Sequence, residues 1–444
     1  MSNESLMAPI VNCLSESFSR YRKKMKRIIN LLFSLLIIMV AIEIPVNGDE
    51  GNREAKYNEV KIVKLPNEDW QLMVNGQPYF IKGVAYSPDK VGQDPNQATL
   101  DDWMIADYNN NGRIDGPYDA WVDKNQNNTQ DNDETAVGDF QLFKEMRANT
   151  IRLYHHASDN ETVRKSYIYK NSFNLYDHPL NKKLLRDLYS TYGIRVIMGD
   201  FLGAYTIGSG ANWEEGTDYR DETQQENMMN SVRDLVLENK DEDYVLFWML
   251  GNENNYARLT HTNAQKYPEV YAKFVNEVAK MIHRLDPNHP VAICNGDLGM
   301  LDYYVKFAPE IDIFGANSYR GPNGFGDFWR TIKNKYNRPV LITEYGVGLP
   351  LQGGEPSESK QAEYHQGCWN DIVHHQAGGE GMGNAIGGII YTWVDIWWQA
   401  GNPFSLDPPE RNGICSQGDG LHSPFLRQLR KTYYVYQSIW NKME

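Results

Sequence analysis

Cysteine is scarce in this chain: four in 444 residues, of which only Cys294, Cys368 and Cys415 lie beyond residue 48. Three cysteines without metal spacing exclude a disulfide-built scaffold and a thiolate metal centre; at most one bridge can form, leaving one free thiol. Cys294 falls in a strand-like run and reads as core. Positive charge is short as well. Residues 1–48 hold 6 of the 44 Lys and Arg and 3 of the 58 Asp and Glu, which leaves the remainder at −17. Such a surface argues against nucleic acid and anionic membranes as partners and suits a neutral substrate or a bound cation. Long apolar runs are missing too, with one exception, Ile28 to Ile42. Arg20, Arg22, Lys23, Lys24, Lys26 and Arg27 precede that run and Pro45-Val46-Asn47-Gly48 follow it. Basic, then apolar, then small residues predict a signal peptide over 1–48, removed near Gly48, and hence a secreted or periplasmic protein. The alternative is a retained anchor facing outside, the only route by which this chain meets a membrane.

What the chain has in quantity is aromatic side chains, 12% of residues, flat surfaces of the kind that sugar rings stack on. Two segments say more. Val245-Leu-Phe-Trp-Met-Leu-Gly-Asn-Glu253 and Pro339-Val-Leu-Ile-Thr-Glu-Tyr-Gly346 are apolar, β-prone runs that each stop at a glutamate. Both read as buried parallel strands delivering a carboxylate at the C-terminal tip. The chain's five other Asn-Glu pairs follow no such strand. A carboxylate ending a hydrophobic run needs a partner or a task. Two of them about 5 Å apart are the apparatus for cleaving a glycosidic bond with retention.

The rest of 49–444 predicts one α/β domain. Trp70 to Val84 reads as a β-hairpin turned by Asn75-Gly76, whose second strand runs on into a barrel. Eight strand candidates follow: Tyr79 to Tyr86, Asn149 to His155, Arg195 to Phe201, Val245 to Glu253, Val291 to Asp297, Ile311 to Tyr319, Pro339 to Tyr345 and Gly388 to Asp395. Each precedes a stretch with apolar residues at three and four spacing, from Asp139 to Ala148 through to Phe425 to Trp440. Eight alternations predict a closed (β/α)8 TIM barrel with no internal repeat. Trp248, out of phase with Glu253 along its strand, should face the helices.

One polar insertion, 87–138, parts the first strand from its helix. Asp123, Asn125, Asn127, Asp131 and Glu134 fall at ligand positions of an EF-hand-like loop. Asp107, Asn109, Asn111 and Asp115 fall at those of a second, with Gly112 at its sixth position and Tyr118 at the twelfth. Alternate residues of a tight turn aim their oxygens at one hard cation, so both strings are candidates for structural Ca2+; a solvated Asn/Asp-rich loop is the alternative. No cofactor is required for catalysis.

Five segments together resemble the catalytic barrel of glycoside hydrolase clan A, with family 2 the nearest likeness: Tyr79-Phe-Ile-Lys-Gly-Val84, Asn149-Thr-Ile-Arg-Leu-Tyr-His155, Phe247-Trp-Met-Leu-Gly-Asn-Glu253, Leu341-Ile-Thr-Glu-Tyr-Gly346 and Gly388-Ile-Ile-Tyr-Thr-Trp-Val-Asp395. The first two openings and Asn317-Ser-Tyr319 are also similar to the family 72 β-1,3-glucanosyltransferases. The likeness spans roughly residues 70 to 440 and departs from family 2 in lacking preceding β-sandwich domains. It implies a retaining β-glycosidase acting on an oligo- or polysaccharide, with Glu253 as acid/base and Glu344 as nucleophile. It also implies that Asn252 binds the sugar 2-hydroxyl, that Tyr319 hydrogen-bonds the nucleophile, and that Trp393 floors the reactive sugar. Arg152, at the tip of strand two, is the cation expected beside Glu344. Trp397 or Trp398 would stack on a neighbouring sugar, and His155, His156 and Asp200 lie at strand tips within reach of hydroxyls. The alternatives are a transglycosylase using the same pair and a catalytically silent carbohydrate-binding protein.

Overall fold

The computed structural model describes residues 58–97, 99–160, 179–399 and 411–443; the leader expected over 1–48 lies outside them. Three antiparallel strands open the described chain, β1 (Val60–Lys64), β2 (Trp70–Val74) and β3 (Gln77–Pro78). Val74 pairs with Gln77 across Asn75 and Gly76, both at positive φ, as a two-residue turn matched to strand twist requires. The expected hairpin is therefore present, and β1 adds an edge strand to it. Val60, Leu72 and Val74 join the apolar cluster inside the barrel, so this sheet plugs it.

The barrel consists of β4 (Ile81–Ala85), β6 (Thr150–Arg152), β7 (Arg195–Asp200), β8 (Val245–Leu250), β9 (Val291–Gly296), β10 (Ile313–Asn317), β11 (Val340–Tyr345) and β14 (Ala385–Ile390). It closes in the order β10-β11-β14-β4-β6-β7-β8-β9, every pair parallel. Parallel strands are buried on both faces, and each residue of β8 is buried, which is why these runs read as continuous apolar stretches. Phe247 and Met249 belong to the interior cluster, Trp248 and Leu250 to the layer beneath the helices. Trp248 packs as expected, its indole N–H donating to Asp286 at 2.8 Å. The eight expected helices are present, from Asp139–Met146 to Lys431–Trp440. Their starts use the side chains the sequence offers: Asn181 accepts from Leu184 N, Asp221 from Thr223 N and Gln224 N, and Ser357 from Lys360 N.

The insertion is tied to the other end of the chain. Its strand β5 (Trp121–Val122) runs parallel to β16 (Leu426–Leu429), which pairs with β15 (Cys415–Ser416). Beneath this sheet Arg427 grips Asp139 with two 2.8 Å bonds, both side chains fully buried. Arg430 holds Asp395 the same way, at 2.7 and 2.6 Å. A second hairpin, β12 (Leu351–Gln352) and β13 (Glu355–Pro356), follows β11. Cys294, Cys368 and Cys415 are all buried free thiols, so the single bridge that composition allowed is not formed among them. No helix among the described residues is long and apolar enough to cross a membrane.

Candidate active site

Beyond β8 the chain turns sharply through Gly251 (φ 76°) and Glu253 (φ 56°). A left-handed backbone at a glutamate is unfavourable and persists only where its surroundings fix it. Asn254 does so, accepting from Asn252 N at 2.7 Å and donating to Phe201 O, Leu202 O and Tyr219 Oη. A Cβ at residue 251 would sit 2.6 Å from Asn254 Oδ1, so glycine is required there. The Gly-Asn-Glu-Asn string is thus a turn built to present residues 252 and 253.

Glu344 lies in β11, in register with Asn317 of β10. Three donors aim at its carboxylate: Arg152 Nη1 (2.9 Å) and Tyr154 Oη (2.8 Å) to Oε1, and Tyr319 Oη (2.8 Å) to Oε2. Arg152 is only 1% exposed and crosses the barrel interior. Its Nη1 also reaches Thr343 O (3.0 Å) and Asn317 Oδ1 (3.3 Å), and its Nη2 reaches Asn252 Oδ1 (2.9 Å) and Cys294 Sγ (3.2 Å). One cation therefore fixes Glu344, Asn252 and Asn317 together. Cys294, expected as plain core, is part of this base, with its thiol pushed up to about 11 by burial.

Glu253 is treated differently. It is half-buried and interacts electrostatically with Glu344; burial first, then the Glu344 charge, push its carboxyl up to about 7. Asn317 hydrogen-bonds it and Arg152 partly offsets the rise. Asn252 Nδ2 meets Tyr205 Oη at 3.3 Å, and the charges of Glu253 and Glu344 also act on Tyr391, whose hydroxyl receives Gln399 Nε2 at 2.7 Å. Two carboxyl groups, one raised by burial and the other held by three donors and ringed by tyrosine hydroxyls, can share acid, base and nucleophile duties.

The structure thus gathers Glu253, Glu344, Arg152, Asn252 and Tyr319 at one end of the barrel, and it corrects the expectations for Trp393, Asp200, His155 and His156. Trp393 is 0% exposed and packs edge-on against Phe143 (4.6 Å) and near Tyr433, under the helices rather than beneath a sugar. The chain turns after Ile390, and Tyr391 takes the place beside the glutamates. Asp200, 1% exposed, accepts from Ser231 Oγ and Leu202 N at 2.7 Å each, and so braces a turn. His155 is 1% exposed, stacked on Phe201 and held neutral by burial, its pKa pushed down to about 3; half-buried His156 is shifted the same way. Trp397 is 3% exposed, whereas Trp398 is half-buried and hydrogen-bonds Asp89. Trp393→Ala should therefore behave as a core deletion costing about 3–5 kcal/mol, read from denaturant unfolding, with activity per folded molecule retained. A sharp loss of activity at unchanged stability would return Trp393 to the cleft.

Tyr154, Tyr205 and Tyr391 were not anticipated. Tyr154 was within reach of pattern reasoning, since it stands two residues past Arg152 and alternation puts both on one face. Tyr205 sits in an irregular turn at φ 56°, which no periodicity announces. The insertion's two Asn/Asp strings form matching loops whose oxygens come as much from Asn as from Asp. Among the described residues no group of three or more His, Cys, Asp and Glu is gathered as a metal site.

Residues 130–377 match the family model for glycosyl hydrolases family 2, TIM barrel domain. Solved structures share the fold at low identity. The β-D-glucuronidase of Dictyoglomus thermophilum matches 87% of this chain at 16% identity and TM-score 0.51. The β-galacturonidase of Eisenbergiella tayi bound to galacturonate matches 87% at 15% identity and TM-score 0.52. A β-glucuronidase of Bacteroides uniformis matches 83% at 16% identity and TM-score 0.51, the match covering 36% of that chain. The chain spans 54% of the length of each of the first two.

Proposed function

This chain belongs to glycosyl hydrolase family 2, and from that premise we propose that it hydrolyses O-glycosidic bonds of an oligo- or polysaccharide, outside the cytoplasm, with retention of anomeric configuration. The observation that carries the reading is the unlike treatment of two carboxyl groups in one cleft. Glu344 receives three hydrogen bonds, one from a buried guanidinium, an arrangement suited to an anionic nucleophile. Glu253 is pushed up to about 7, where a carboxyl keeps its proton near neutrality.

In the first half-reaction a Glu344 oxygen attacks the anomeric carbon while Glu253 gives its proton to the departing glycosidic oxygen. Forming the ester removes the Glu344 charge, and with it one of the two causes that raise Glu253. Glu253, ionised by giving up its proton and now held ionised more readily, takes a proton from water, and the hydroxide displaces Glu344. Asn252, its oxygen held by Arg152 at 2.9 Å, turns its NH2 to the cleft side occupied by Tyr205 and is placed to bind the sugar 2-hydroxyl. Tyr154 and Tyr319 keep Glu344 oriented while its charge is consumed and restored.

Proton NMR of a β-glycoside digest checks the stereochemistry. The first-formed sugar should carry the β-anomeric signal, the α signal growing only at the rate of mutarotation. An initial α product would mean direct displacement by water and would end the double-displacement reading.

A further inference from the structure

We propose that the loop Asp107–Asp119 binds one calcium ion through side-chain oxygens of Asp107, Asn109, Asn111, Asp115 and Asp119. Reading the string by EF-hand spacing ends it on Tyr118, which cannot ligate. Residues Asp115–Asp119 instead form a π-helical turn, wider than an α-turn, and Asp119 comes round to where the twelfth position would be. Tyr118 points away and donates to Asp187. The amides of Asn109 and Asn111 converge on Asp119 Oδ2, at 3.1 and 2.7 Å. Rotating either amide would turn its oxygen to the same point, at the cost of the bond that oxygen now accepts, from Asn111 N (3.0 Å) or from Arg113 N (2.8 Å). Asp107 closes the loop, accepting from Asn111 N (3.0 Å) and Gly112 N (2.9 Å), with Gly112 at φ 82°.

The independent pointer to an ion is Asp115. It is 0% exposed; one of its oxygens receives Tyr108 N–H at 2.8 Å, and the other, Oδ1, has no hydrogen-bond partner among the described residues. Its charged neighbours are Asp107 and Asp119, both of its own sign. Arg113, half-exposed and 3.4 Å from Asp119, offsets one charge of three. A buried carboxyl with two like-charged neighbours is costly to ionise unless a cation joins them. Six to eight oxygens at irregular geometry are what Ca2+ accepts and Mg2+ does not.

Sixteen residues on, part of the pattern recurs: Asn127 N and Asn128 N donate to Asp123 as Asn111 N and Gly112 N do to Asp107, while the Asn125 and Asn127 amides donate to Asp131, the counterpart of Asp115 rather than of Asp119. The insertion therefore contains an imperfect internal repeat. In the second copy the closing acid is already occupied, Glu134 accepting from Lys124 N (2.6 Å) and Asp131 N (3.1 Å), and Gln428 caps Asp123. The first copy is thus assigned the ion and the second a structural role.

The test uses the full chain stripped with EDTA and titrated with Tb3+, whose luminescence Trp103 and Tyr108 should sensitise, since both line one small cavity with Asp115. Calcium should displace Tb3+ with half-saturation between about 10⁻⁶ and 10⁻³ M, magnesium should not compete in that range, and calcium should raise the melting temperature of the stripped chain. Asp119→Asn should weaken binding at least about tenfold. Asn109→Ala, at an exposed position that leaves folding safe, should do the same, whereas Asn125→Ala should not. No saturable signal together with no calcium-dependent melting shift overturns the proposal. So does a signal that survives Asp119→Asn and Asn109→Ala but vanishes with Asn125→Ala, which would move the ion to the second loop.

Discussion

Glu344→Gly is expected to lower turnover by about 10⁴-fold or more and then to recover part of it when azide or formate is added. The glycine leaves a hole beside the anomeric carbon, lined by Arg152, Tyr154 and Tyr319, which together donate three hydrogen bonds to the missing carboxylate. A small anion fits both the space and the charge. With an activated β-glycoside it attacks from the face Glu344 used and, because nothing then displaces it, the product is the inverted α-glycosyl azide. The measurement is product NMR alongside initial rates over an azide series. Activity close to wild type without azide would remove Glu344 from the chemistry.

The second large effect separates leaving groups. Glu253→Ala should slow cleavage of unactivated glycosides by about 10²–10⁴-fold, while the first step with nitrophenyl glycosides stays fast because nitrophenolate departs unprotonated. Azide should now trap the intermediate as the β-glycosyl azide. The pH profile carries the same logic with a definite sign. Cleavage of an unactivated glycoside needs Glu253 protonated, and its carboxyl is pushed up to about 7. Wild-type kcat/KM should therefore fall as pH rises through about 7, by roughly tenfold per unit well above it. In Glu344→Gln, which removes the neighbouring charge but not the burial, the Glu253 titration followed by carbon NMR should move to lower pH. An alkaline limb that persists unchanged in Glu253→Ala would assign that ionisation to another group.

Much of the architecture was legible because parallel strands buried on both faces leave an unmistakable trace: uninterrupted apolar runs such as Val245 to Leu250, separated by amphipathic helices. The two glutamates were legible because each violates that trace where its strand ends. Arg152 was legible on a different ground, as a cation at the tip of the second strand candidate, where a nucleophilic carboxylate needs one. What escaped lay past the strand tips, where the two-residue alternation lapses. Trp393 and Tyr391 share a parity, and only the turn after Ile390 sends the tryptophan under the helices and leaves the tyrosine beside the glutamates. Asp200 and His155 stand at tips as well, but Ser231, Leu202 and Phe201 claim them from other elements. Asp119 escaped because a π-turn adds a residue that fixed-spacing motifs do not count. The tertiary environment decides each of these cases, and a single sequence carries no local record of it.

The parallel pairing of β5 with β16 also sets an order of events during synthesis. Trp121 lies against Leu426 and Asp139 against Arg427, partners about 300 residues apart along the chain. At roughly 5–20 residues per second, a ribosome needs on the order of 15–60 s between making the first member of each pair and the second. Throughout that interval Asp139 lacks the Arg427 guanidinium and β5 lacks β16, with only the bridge from Trp121 to Ala136 beside it, so the wall over the first strand-to-helix connection is completed only after β16 emerges. The nascent barrel is left with an unpaired strand edge beside its catalytic mouth, the kind of surface on which chaperones and misassembly compete.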